Sequence, residues 1–96
     1  MSHFFIKLIA PRPTFATQMS DEEKLLMQKH AAYLKDLQTK GVVLAFGPVF
    51  DPSGPFGMAL VKAADATAAS AIMADDPTIK ANCGFKHEVF PMVLVM

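Results

Sequence analysis

The chain has one cysteine, no tryptophan and one tyrosine in 96 residues, and its nine acidic and nine basic side chains cancel. Each scarcity excludes something. A lone Cys83 rules out an internal disulfide framework and fits a reducing cytoplasm, the expected location. A balanced charge, with no basic stripe and no aromatic-plus-arginine platform, argues against a nucleic-acid partner. No apolar run approaches the ~20 residues of a membrane span, so no membrane partner is expected. The start, Met1-Ser2-His3-Phe4-Phe5-Ile6-Lys7, lacks a basic n-region and a small-residue cleavage site, so a secretory signal is not expected. Motifs for a phosphate-binding loop, a dinucleotide fold, a His-x-x-x-His pair or paired cysteines are missing, and neither metal nor cofactor is expected. What the chain does have is apolar mass: 52% of its residues are hydrophobic. At this length residues 1–96 form one domain.

The order of elements is readable. Phe4–Ala10 has the aromatic and β-branched content of a strand and ends at Pro11-Arg12-Pro13. A loop follows to Met19. Ser20 with Glu23 three residues on is a capping box, opening a helix that Gly41 ends. Val42–Phe46 and Gly57–Val61 are strands, separated by a segment dense in glycine and proline. Asp65 caps a second helix, Ala66–Ala74, which Pro77 stops. Glu88–Val95 is the last strand, with Pro91 marking irregularity or an edge. The sequence β-α-β-β-α-β predicts an α+β, ferredoxin-like protomer with a four-stranded antiparallel sheet.

Two features go beyond topology. Helices in such a fold cover one sheet face, and the other should alternate to polar. Here Phe5, Ile9, Phe90, Met92 and Leu94 keep the second face apolar as well. A two-fold partner packing sheet on sheet is the economical cover, so a homodimer is expected. The second feature is His30, which stands in the apolar stripe Leu26, Met27, Tyr33, Leu34, Leu37 of the first helix. Burying an unpaired polar ring costs roughly 1–3 kcal/mol, so His30 needs a partner. The Asp75-Asp76-Pro77 corner is the best candidate.

His30-Ala31-Ala32-Tyr33-Leu34-Lys35-Asp36-Leu37, then Gly41, Ala45-Phe46-Gly47-Pro48 and Asp76-Pro77, resemble the YciI-like (YCII-related) family in order and spacing. The resemblance runs from the first strand to Pro91. It implies a dimeric α+β barrel and an active site built around the helix histidine and the Asp-Pro aspartate, which correspond to His30 and Asp76. It also implies dehydrochlorination of a hydroxylated ring for part of the family, with muconolactone isomerases similar in fold. Where the family often has Ala-Gly after Asp-Pro, this chain has Ala81-Asn82, and asparagine tolerates positive φ better than most residues.

The chemistry suits the residue types. A neutral imidazole, with an ordinary pKa of about 6.5, accepts protons near neutral pH. A carboxylate orients the ring and stabilises the imidazolium. Phe15, Phe46 and Phe56, with the Gly47-Pro48 turn, are expected to line an apolar pocket for a flat small-molecule ligand. Arg12 offers a planar fork for a carboxylate or phenolate. Each residue also has a plainer reading. His30 can be a core histidine bonded to a carbonyl, Asp76 a helix terminator, Arg12 a solvated cation, and Cys83 an ordinary thiol without a basic neighbour. His3 and His87, expected on neighbouring strands, make a metal pair conceivable, with barrel lining the commoner role. Two functions therefore stand. One is a cofactor-independent lyase, isomerase or dehydrochlorinase using a His-Asp pair on a hydroxylated ring or lactone. The other is a dimeric binding or accessory module that does no chemistry.

Overall fold

The computed structural model describes residues 1–95. Strands β1 (Ser2–Ile9), β2 (Val43–Val49), β3 (Phe56–Ala63) and β4 (Lys86–Met92) alternate with helices α1 (Asp21–Thr39), α2 (Ala66–Ala74) and α3 (Pro77–Lys80) in the order β1-α1-β2-β3-α2-α3-β4. All strand pairs are antiparallel, and the sheet order is β2-β3-β1-β4. This is the expected ferredoxin-like α+β arrangement, with one short helix added.

Local chemistry sets the boundaries. The Ser20 hydroxyl accepts the Glu23 N–H while the Glu23 carboxylate accepts the Ser20 N–H, so two orphan donors at the start of α1 are satisfied. Gly41 follows the helix at φ +79°, in the left-handed region. The Asp65 side chain caps α2 through the Ala68 N–H. Asn82 adopts φ +52°, the left-handed turn anticipated from its position.

The helices cover one face of the sheet. Phe4, Ile6 and Leu8 of β1, Val43 of β2, and Ala59, Val61 and Ala63 of β3 point into a core with Leu34, Ala69 and Met73. The register Ile6↔Ala59 and Phe4↔Val61 holds that set together, because side chains alternate strictly along a strand. The opposite face carries Phe5 beside Phe90, with ring centroids 6.3 Å apart, flanked by Leu60 and Met92. Phe90 is 46% exposed and Met92 36%. The second face thus carries an exposed apolar patch, with His3, Lys7, Lys62 and Glu88 on the same side of the sheet.

Several details differ from the expected boundaries. Strand β2 runs on to Val49, so Gly47 and Pro48 lie in a strand rather than a turn. An edge strand tolerates a proline because one side needs no ladder donor, and β2 is an edge. A register shift between Val43 and Ala45 breaks the simple alternation, placing Val43 and Phe46 on the core face. The last strand begins at Lys86 and ends at Met92, two residues early at its start and three short at its end. Pro91 does sit on the other edge. Finally, Pro77 opens α3 instead of only stopping α2.

Candidate active site

The site begins with the short helix α3. Asp-Pro-Thr places Asp76 at the N-cap of α3 and Pro77 in its first turn, where a missing N–H costs nothing. Asp76 is completely buried. Its Oδ1 accepts both donors of Thr78, the N–H at 2.8 Å and the hydroxyl at 2.7 Å. Its Oδ2 lies 2.7 Å from Nδ1 of His30. Thr78 is itself fully buried, so a closed set of three donors holds one carboxylate. A carboxylate at a helix N-terminus also sits well in the helix dipole. The plainer reading of Asp76 as a helix terminator is therefore corrected: the residue caps the start of α3.

This arrangement fixes the imidazole. A carboxylate only accepts, so Nδ1 carries the hydrogen and the neutral ring keeps its lone pair on Nε2. Among the described residues, no buried side-chain nitrogen or oxygen lacks a partner. Nε2 has no partner there, so it lies where solvent reaches it, and the side chain as a whole is 13% exposed. His30 also walls a cavity of about 10 Å³ with Ile6, Leu8, Gly57, Ala59 and Met73. That volume is at the limit for one water molecule. Only the open side of the ring gives access to Nε2.

The other expected residues separate into two groups. Phe46 and Pro48 pair with Ala59 and Gly57, which wall the small cavity, and Gly47 pairs with Met58. Phe15, Phe56 and Arg12 sit elsewhere. Phe15 is buried against Phe85, edge to face at 5.1 Å. Phe56 lies on the outer sheet face under the Lys7 ammonium. The three phenylalanines do not form one pocket, because register puts Phe46 and Phe56 on opposite faces. The guanidinium of Arg12 grips both oxygens of Glu23, at 2.7 and 2.8 Å, and also donates to the Gln18 carbonyl. Its fork closes the β1–α1 loop onto the start of α1. The Arg12 hydrogen bonds, with the Ser20 N–H, hold the Glu23 carboxyl down to about 2.

His3 and His87 do flank the β1–β4 pair, but the register His3↔Met92 and Leu8↔His87 places them on opposite faces. His87 Nε2 instead lies 3.2 Å from the Ser70 hydroxyl. Among the described residues no group of three or more His, Cys, Asp or Glu side chains is placed to hold a metal ion. No helix there is long and apolar enough to cross a membrane. Cys83 is free and exposed.

Two residues were missed from sequence. Thr78 was readable, since an N-cap aspartate with Pro at the first helical position announces a helix start. Tyr33 was read only as part of the apolar stripe, yet its hydroxyl donates to the Ile72 carbonyl at 2.5 Å. Burial and the nearby Asp75 and Asp76 carboxylates push its phenol up.

The YCII-related domain model matches residues 3–93. The chain belongs to the YCII-related family. No curated protein sequence matches it. Among solved structures it is similar to 5-chloro-2-hydroxyhydroquinone dehydrochlorinase (TftG) from Burkholderia phenoliruptrix AC1100, in complex with 2,5-dihydroxybenzoquinone. The two share 18% identity with a TM-score of 0.52, over 88% of this chain and 90% of that one. At that identity the likeness shows a shared fold.

Proposed function

We propose that this YCII-related protein is a cofactor-independent acid–base catalyst, with His30 Nε2 as the proton-transfer atom and Asp76 as its positioning carboxylate. The observation that carries this reading is the 2.7 Å contact between His30 Nδ1 and a buried Asp76 that Thr78 holds from the other side. A merely structural histidine satisfies its ring in the core; this ring is bonded at one nitrogen and open at the other. Such an arrangement suits removal of a proton from a ring hydroxyl or from a carbon beside a carbonyl. The imidazolium then returns the proton to a ring carbon, giving the keto tautomer. Where that carbon bears chlorine, loss of a second hydroxyl proton to the base lets the electron pair expel chloride. A positioned base of this kind contributes about 10²–10⁴ in rate. The small hydroxylated rings handled by the dehydrochlorinase of similar fold are the first substrate class to try, with lactones next.

We further propose that the protein acts as a homodimer whose subunits cover each other's apolar sheet face. Phe5, Leu60, Phe90 and Met92 form the patch, and a stable species near the 10.4 kDa protomer mass in gel filtration would count against it. The second reading is a ligand-binding module without chemistry, and the same experiment separates the two.

That experiment combines ¹⁵N NMR of the His30 ring with a turnover screen on chlorinated hydroquinones and lactones. The expected ring carries its hydrogen on Nδ1, and His30→Gln lowers turnover at least a hundredfold. Asp76→Asn keeps an oxygen for Thr78 but presents an amide N–H₂ to His30, so the ring flips to the wrong tautomer and activity falls similarly. Turnover that survives in His30→Gln sinks the catalytic reading. Saturable binding with no turnover in the wild type selects the binding module.

A further inference from the structure

We infer that Tyr33 is a positioning residue for the His30–Asp76 pair, acting through the α2 C-terminus; this rests on the catalytic reading of that pair. The last carbonyls of a helix have no partner four residues on unless the helix continues. In α2 the chain turns away, and the Asp76 N–H donates to the Met73 carbonyl at 3.0 Å. The Ile72 carbonyl is left without a main-chain donor, and the Tyr33 hydroxyl fills that position at 2.5 Å. Tyr33 stands one turn after His30 on α1, so the two side chains leave the same helix face. They reach the two ends of one short segment: Tyr33 holds Ile72, and His30 meets Asp76 four residues later.

Helix α1 therefore grips the corner between α2 and α3 at two points. The His30–Asp76 contact depends on where α3 starts relative to α1, and the Tyr33 bond sets that placement. Burial and the Asp75 and Asp76 carboxylates favour the protonated phenol, so the hydroxyl remains a donor throughout the neutral range. The ring packs its body against the core and delivers one hydrogen bond at its tip, the usual division of labour in a tyrosine of this kind.

The test is Tyr33→Phe in the full chain, followed through hydrogen exchange of the His30 Nδ1–H relative to the slowest amides of β1. A purely structural tyrosine lowers global stability and speeds both by the same factor. The positioning role speeds the His30 proton at least tenfold more than the Ile6 and Leu8 amides. Equal factors, or a His30 rate within twofold of wild type, would overturn the inference. Because Tyr33 is the only tyrosine, residue-wide incorporation of 3-fluorotyrosine changes this one hydrogen bond while keeping the ring. Its more acidic phenol is the stronger donor, so the His30 proton is expected to slow relative to β1; an unchanged ratio counts against the role even if the phenylalanine variant does not fold. Loss of the catalytic reading would show separately, as turnover surviving in His30→Gln, with the exchange result in Tyr33→Phe still standing.

Discussion

Helix α1 takes part in two carboxylate contacts of equal length, 2.7 Å from Arg12 to Glu23 near its start and 2.7 Å from His30 to Asp76 at its middle. Their surroundings are opposite. Arg12 and Glu23 keep 38% and 20% of their side chains in solvent, whereas Asp76 has no exposure at all. In the first contact water competes for both partners, and the pair does local work by closing the β1–α1 loop. In the second, water cannot replace a lost partner, so each member depends on the rest of the set. Distance alone does not distinguish a loop fastener from a site; burial and the number of satisfied lone pairs do.

The sharpest way to test that contrast is to empty the buried side. Asp76→Ala removes the cap of α3 and leaves the Thr78 N–H, the Thr78 hydroxyl and the His30 Nδ1–H short of an acceptor. Each buried donor left without a partner typically costs about 1–3 kcal/mol. The variant is expected to unfold at a much lower urea concentration, and a loss under about 1 kcal/mol would mean that water replaces Asp76 freely. Thr78→Val is milder because the N–H bond remains. It removes one hydrogen bond to a charged group, worth roughly 1.5–3 kcal/mol, and frees the carboxylate to rotate. Its urea midpoint should fall less than that of Asp76→Ala, and the His30 Nδ1–H should exchange faster. A Thr78→Val protein as stable as wild type, with His30 unchanged, would remove Thr78 from the network.

A third effect is read at high pH. With one tyrosine and no tryptophan, tyrosinate absorbance reports Tyr33 alone. The folded phenol is pushed above its ordinary value of 10.0, first by burial and then by Asp75 and Asp76. The folded protein therefore holds this proton more tightly than the unfolded chain. The stabilisation is complete below pH 10 and is lost as pH rises through the folded value. A midpoint at or below 10 in the native protein would show that the hydroxyl is wetter than its hydrogen bond to Ile72 implies.

Much of this fold was legible because its signals are local. The Ser20-x-x-Glu23 box, Gly41 and Asp65 each satisfy or terminate a backbone group within a few residues, and all three act where the sequence placed them. His30 was legible as a conflict: a polar ring at a core position must be paired, and only a few carboxylates were candidates. The remainder depended on non-local geometry. The β2 register shift is a property of two strands, so the alternation of Val42–Phe46 could not reveal that Val43 and Phe46 share a face. Phe15, Phe46 and Phe56 each look like pocket lining in isolation, yet sheet sidedness separates Phe46 from Phe56, and Phe15 packs on Phe85 from the β1–α1 loop. Arg12 read as a ligand clamp or a solvated cation, whereas the Glu23 carboxylate of the capping box accepts from it as well. The Tyr33 bond needed knowledge of where α2 stops.

The smallest expected effect lies at the exposed contact. Glu23 is held at about 2, against an ordinary value of 4.5, chiefly by Arg12 and then by the Ser20 N–H. As pH falls the unfolded chain takes up this proton first, so the stabilisation present above pH 4.5 is lost between 4.5 and about 2. Glu23→Gln removes that titration. Its urea midpoint should differ slightly from wild type near neutral pH and should decline less steeply through the acid window. Parallel acid limbs in the two proteins would mean that Arg12 and Glu23 are not coupled in solution. The same variant bears directly on the contrast between the two contacts. Glu23 lies nearly two turns before His30 on α1, and its substitution should leave the exchange of the His30 Nδ1–H at the wild-type rate. If Glu23→Gln speeds that proton as much as Thr78→Val does, then loop closure and site geometry form one cooperative unit, and the exposed contact governs the buried one.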